Sequence, residues 1–248
     1  NDEEGQILLD MDCGEGYDRS TLDLLGDQEK LMQALIETGK PLVVVYIQGR
    51  TLKMNLAAEK ANALLTAWYP GGEGGHAIAD VLFGDYNPAG RLPVSIARNE
   101  GQLPIYYSKG DQRAYMDGNA NALYSFGYGL SYTKFEYSDL QIKPGNGKDI
   151  LQTVTCTVKN TGDRDGQEIV QLYIRDMVAS IAQAPILLKS FERVELKKGE
   201  SKTITFNLGK QELSMYNAQL EEVVEPGDFK VMIGAASDDI RLEGMFKL

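Results

Sequence analysis

At 248 residues and 27.4 kDa the chain has room for two ordinary domains. With 43% hydrophobic and 25% charged residues it has the composition of a folding chain rather than a disordered one. The net charge of −11, with no run of Lys and Arg, argues against nucleic acid or an anionic membrane as a partner, and apolar runs such as 42–47 are too short to cross a bilayer.

No basic segment followed by an apolar one opens the chain, and its first residue is Asn1, so it reads as an excised or processed piece. The two cysteines, Cys13 and Cys156, leave both a disulfide and two free thiols open. Cys156 alternates with Val154 and Val158, which marks it as a buried strand residue. One histidine, His76, and two distant cysteines build no zinc site and weaken any Ser-His-Asp reading. No cofactor or metal is expected.

In chain order, residues 7–11 form a short apolar strand. Residues 27–38 place Leu31, Met32, Leu35 and Ile36 at helical spacing, with Gly39 and Pro41 as stop signals. Residues 41–47 are apolar on both faces, as in a buried parallel strand. A second strand is expected over 62–69, a helix over 77–83 and a strand over 91–96. This order predicts an α/β/α sandwich, here partial, with a mostly parallel sheet.

The composition changes near residue 130. Before it lie 17 of the 26 glycines; after it Val, Ile, Thr and Phe alternate with polar residues over 154–158, 169–174, 203–208 and 229–233. That half reads as a two-sheet β-sandwich of immunoglobulin-like size. The fold class is therefore α/β plus all-β. The expected boundaries are 1–101 for the α/β part, 102–132 for an extended linker and 133–248 for the β-sandwich.

Three features could carry chemistry. The glycine-rich turn 71–75 precedes a helix and could cradle a phosphate, which opens a nucleotide-binding reading. Its G-x-G-x-x-G pattern is incomplete, because Ala77 takes the last place, and Glu73 would repel a phosphate, so a tight strand-to-helix turn with a structural His76 is the simpler reading. The loop 12–19 follows the first strand, where ligands sit in open α/β sheets. Gly14 and Gly16 flank Glu15 and let its carboxylate project, so Glu15 is either a general acid/base or one acid of a solvated loop; Asp18 and Arg19 are placed to brace it. The linker aromatics, Tyr106, Tyr107, Tyr115, Tyr124, Phe126, Tyr128 and Tyr132, can stack on sugar rings or pack the linker onto its neighbours.

Several motifs resemble glycoside hydrolase family 3: GKPLVVV at 39–45 followed by Gly49 and Arg50, AWYPGGEGGHAIADVLFGDYNPAGRLPV at 67–94, QLPIYY at 102–107 and YSFGYGLSYTKF at 124–135. LKSFERV at 188–194 is similar to the family's fibronectin type III-like domain. The resemblance spans nearly the whole chain and implies the carboxy-terminal part of a β-glucosidase or β-xylosidase. It implies an amino-terminal (β/α)8 barrel that carries the nucleophilic aspartate and is missing here. It also matches GEGYDR at 14–19 to a motif bearing the general acid/base, which favours Glu15 in that role with Asp18 and Arg19 in support. The implied substrate is a β-linked glucoside or xyloside oligosaccharide, the implied location periplasmic or secreted, and the chain alone is expected to be inactive. A non-catalytic carbohydrate-binding or structural module is the alternative.

Overall fold

The computed structural model describes residues 20–109, 116–145 and 149–248. They fall into two units, one formed by residues up to 83 together with 96–105, the other by 84–95 and 106–248.

In the first unit the helical spacing of Leu31, Met32, Leu35 and Ile36 produces helix α1 (Gln28–Glu37). It stops where Gly39 takes φ +66°, a left-handed conformation open to glycine at no steric cost, and gives its N–H to Ile36 O at 3.0 Å. Met32 faces inward and is buried, while Leu31 stays exposed. Strand β1 (Val43–Tyr46) pairs in parallel with β2 (Ala63–Thr66), with Val43 opposite Ala63 and Tyr46 opposite Thr66. Parallel pairing needs a crossover, and helix α2 (Asn55–Lys60) supplies it. Expecting one strand to follow the other directly missed α2, whose six residues are too few to show a helical period. The strand at 41–47 was also expected to be buried on both faces; Val43 is instead exposed, β2 being the only described strand paired with β1. Helix α3 (Gly74–Phe83) begins inside the glycine-rich turn, three residues earlier than its apolar pattern indicates.

The second unit is a sandwich. One sheet has the order β3 (Phe135–Pro144), β4 (Gln152–Asn160), β7 (Ser201–Leu208); the other runs β11 (Asp239–Lys247), β10 (Asp228–Ala236), β5 (Gly166–Asp176), β6 (Leu187–Leu196), all pairs antiparallel. Minor elements are helix α4 (Lys210–Leu213) and the short strands β8 (Met215–Tyr216) and β9 (Glu222–Val223). The period-two pattern sends Val154, Cys156 and Val158 of β4 and Ile204, Phe206 and Leu208 of β7 inward. They meet Val170, Leu172 and Ile174 of β5 and Phe229, Val231 and Ile233 of β10. Full burial of each such side chain stabilises the fold by about 1.5–3 kcal/mol. Phe229 also stacks on Phe246, with centroids 5.2 Å apart.

Strand β5 departs from simple alternation, because five successive residues, 170–174, are all buried. Its outer face is covered by a strap formed from residues 84–95, 106–109 and 116–132. Tyr107 stacks on Phe126 at 4.2 Å and meets Tyr173 edge-on at 6.1 Å. Gln171 Nε2 donates to the carbonyls of Gly127 and Ala235, and Tyr173 donates its hydroxyl proton to Gln171 Oε1. Residues 91–96, expected as a strand, form no regular one. Leu92 instead donates its N–H to Tyr128 O and accepts from Gly127 N, joining the two parts of the strap.

Cys156 is a free thiol in this core, and burial pushes its pKa up to about 11. With Cys13 replaced by Ser, Cys156 should not react with Ellman's reagent at pH 8 in the native chain and should react fully in urea. Rapid native labelling would show that β4 is not the closed strand described.

Candidate functional site

In the first unit, the loops that leave the carboxyl ends of β1 and β2 lie where an open parallel sheet offers a ligand site. Gln48, buried just beyond β1, ties them together: its N–H donates to Trp68 O at 3.2 Å, its Nε2 to Thr66 Oγ1 at 3.0 Å, and its Oε1 accepts from Leu52 N at 3.2 Å. Trp68 sits at φ +53°, a costly conformation for a bulky residue and of the kind that gathers at functional sites. Gly49 lies against the Tyr69 ring, so a Cβ there would displace that exposed side chain.

Lys53, in the loop after β1, also anchors the first described residues. Its Nζ donates to Asp23 at 3.0 Å and its N–H to Leu22 O at 2.7 Å. Leu22 N and Thr21 Oγ1 in turn donate to the Glu100 carboxylate at 2.7 and 3.0 Å, and these bonds, the Leu22 N–H first, hold that carboxyl below its usual range. Residues 21–23 are therefore fixed on the carboxyl side of the sheet. Glu15, Asp18 and Arg19, the candidates from the sequence, lie outside the described residues, as does Cys13.

The other readings find less support. His76 Nδ1 lies 2.7 Å from the Glu73 carboxylate at the start of α3, and both side chains are almost fully exposed. A carboxylate at that helix start is the wrong charge for a phosphate cradle. Among the described residues no group of three or more His, Cys, Asp or Glu could hold a metal ion, and no helix is long and apolar enough to cross a membrane. Of the linker aromatics, Tyr107 and Phe126 pack against each other, Tyr124 stacks on Tyr128 at 5.1 Å, and Arg164 lies 5.7 Å over Tyr132.

Sequence reasoning missed a buried charge cluster in the second unit. Arg91, from the strap, donates through Nη2 to Glu168 Oε2 at 2.8 Å, with side chains only 8% and 3% exposed. Tyr137 donates its hydroxyl proton to Glu168 Oε1 at 2.8 Å. Burial pushes the Glu168 carboxyl up, while Arg91 and the Tyr137 hydroxyl draw it back. Burial, then the Glu168 charge, pushes the Tyr137 phenol up as well. With both carboxylate oxygens engaged by its own neighbours, Glu168 holds structure rather than performing acid/base work. The available signal was an acid two residues before Val170, on the inward-facing parity of β5. Asn87, a few residues earlier in the strap, accepts from Tyr132 N and Ser131 Oγ and donates to Asp165 O. Gly127 takes φ +83° at the point where a Cβ would overlap Gln171.

Comparison with known proteins finds two families along the chain, the first of which extends past the first unit into the strap. The family described as "Glycosyl hydrolase family 3 C-terminal domain" matches residues 4–132, and "Fibronectin type III-like domain" matches residues 168–237. A protein named beta-xylosidase from Formosa agariphila is 43% identical over 241 residues, covering 92% of this chain and 33% of that protein. One named periplasmic beta-glucosidase from Salmonella typhimurium is 41% identical, covering 94% and 32%. Among solved structures, a β-glucosidase from Erythrobacter marinus superposes with a TM-score of 0.88 at 44% identity, covering 94% of this chain and 31% of that one. The chain thus spans about a third of the length of the relatives it matches.

Removing one partner of a buried ion pair strands the other charge, at a cost of about 3–5 kcal/mol. Arg91→Ala should lower the stability of the second unit by that amount in urea denaturation, and Arg91→Met combined with Glu168→Leu should recover most of it. A loss for Arg91→Ala within the ~0–1 kcal/mol of an exposed pair would show that the cluster is not a clamp.

Proposed function

This chain belongs to glycosyl hydrolase family 3, and we propose that it is the carboxy-terminal part of a retaining, exo-acting β-glycosidase, a β-glucosidase first and a β-xylosidase next. The observation that carries this reading is the family match over residues 4–132, together with relatives named beta-xylosidase and beta-glucosidase that cover more than nine-tenths of the chain. In this reading the chain supplies the general acid/base, Glu15. The nucleophilic aspartate belongs to an amino-terminal (β/α)8 barrel of the same protein, and the substrate is a β-linked glucoside or xyloside oligosaccharide. A periplasmic or secreted location goes with it, supported by the name of the Salmonella relative.

The chemistry follows from two carboxyl groups held roughly 5–5.5 Å apart. The barrel aspartate attacks the anomeric carbon while Glu15, protonated, gives its proton to the departing glycosidic oxygen. Glu15 then takes a proton from the water that releases the sugar. Its proton must be retained to the working pH, as a carboxyl with a raised pKa retains it. Asp18 and Arg19 support the loop. The tether of residues 21–23 to Lys53 and Glu100 favours this assignment, because it fixes the chain just after the motif on the ligand side of the sheet. Without the barrel no glycosyl-enzyme forms, so the chain alone is inactive.

A non-catalytic carbohydrate-binding or structural module is the second reading, favoured by the packing of Tyr107 and Phe126 on the sandwich.

In the full-length enzyme, Glu15→Gln should lower kcat by about 10²–10⁴-fold on alkyl glycosides. The loss in the first chemical step should be far smaller on aryl glycosides whose leaving group needs no proton. A variant with unchanged kcat, or with loss confined to KM, would remove Glu15 from the acid/base role and favour the binding-module reading.

A further inference from the structure

At one end of the sandwich an open groove of about 720 Å³ runs between the start of β3, the turn from β10 to β11, and strap residues 128–131. This is within the size range of small-molecule sites, about 300–1,000 Å³. Arg91, Glu168 and Tyr137 belong to its lining. Arg241 forms a second part: its guanidinium lies 4.8 Å over the Tyr137 ring, donates through Nη2 to Asp239 at 2.8 Å and through Nη1 to Phe135 O at 2.9 Å. Those bonds fix Arg241 in one orientation, so the wall is preformed.

The lining charges balance. Arg91, Lys134 and Arg241 stand with Glu136, Glu168 and Asp239. A balanced lining gives an anion or a cation little field to repay its lost hydration. A neutral polyol faces no such penalty, since each hydroxyl both donates and accepts and can bond to guanidinium, ammonium and carboxylate alike. The half-exposed rings of Tyr128 and Phe135 add apolar faces of the kind that cover the C–H side of a sugar. Arg91 Nε is buried with no acceptor among the described residues, a donor that a hydroxyl or a water would satisfy.

We propose that this groove binds a neutral carbohydrate, a short β-linked gluco- or xylo-oligosaccharide. The chemistry of the lining selects a neutral polyol; the choice of sugar rests on the glycosidase reading above. Cellotetraose and xylotetraose are the probes, titrated into the 248-residue chain by saturation-transfer NMR and calorimetry, with inorganic sulfate as the ionic comparison.

Saturable binding of at least one tetrasaccharide is expected, with none of sulfate. Lys134→Glu, at an exposed rim position that should leave the fold intact by circular dichroism, should weaken binding about tenfold, the scale of one charge-assisted hydrogen bond. Arg241→Ala should weaken it at least as much. Absence of saturable sugar binding would overturn the proposal, as would binding that Lys134→Glu leaves unchanged or sulfate binding stronger than that of either sugar. Turnover of aryl glycosides by the full-length enzyme is scored separately. Hydrolysis without groove binding overturns the groove alone, whereas groove binding without hydrolysis overturns only the glycosidase reading.

Discussion

The second unit depends on how a charged strap is held against an apolar sandwich, and the Arg91–Glu168 pair is where that problem is solved. Taking both charges out of water costs several kcal/mol per ion, and the pair survives because the geometry answers it: a 2.8 Å contact, a second donor from Tyr137 and a further Arg91 bond to Gly90 O at 3.1 Å. Asn87 performs the same service nearby, taking a strap N–H and hydroxyl and returning a proton donor to the loop before β5. Gln171 does so in the middle of β5. The strap has almost no regular secondary structure, so its backbone groups depend on such side chains, and each buried polar group that lacked one would cost about 1–3 kcal/mol.

This explains why one part of the fold was easy to read from the sequence and another was not. The β-sandwich follows from period-two runs such as 154–158 and 203–208, where each inward residue is apolar and each outward one polar or small. Helix α1 follows from its spacing and from Gly39. Helix α2 is too short to show a period and is demanded only by the parallel pairing of β1 with β2, a long-range fact. The failed strand at 91–96 has the same origin. Leu92 makes ladder-like bonds with Gly127 and Tyr128, more than 30 positions away, and no local pattern encodes that partner.

The candidate chemistry was legible in a different way. Composition and spacing left Glu15 open between an acid/base and a loop acid, and only its place in GEGYDR favoured the first. The described structure contributes the anchoring of residues 21–23 and the strained Trp68 beside the strand ends. Glu168 stands one residue before the alternating run at 169–174, and its partners come from residues 91 and 137, far away in sequence. Much of the long motif at 67–94 and of the motif at 124–135 therefore serves packing. Asn87, Arg91 and Gly127 hold the strap, while Gly49, Trp68 and Tyr69 shape the loops at the sheet's carboxyl side.

The chain spans about a third of the length of its relatives, and the proposed function makes it half of a catalytic centre, with Glu15 on this chain and the nucleophile on the proposed barrel. The most direct test is the hydrolysis of aryl β-glucoside and aryl β-xyloside by the purified 248-residue chain, scored as product per mole of chain, before and after adding the barrel-bearing remainder of the protein. The account predicts no turnover by the chain alone and turnover once the barrel is supplied. Turnover by the chain alone would contradict it, since a complete pair of carboxyls would then have to lie within these 248 residues.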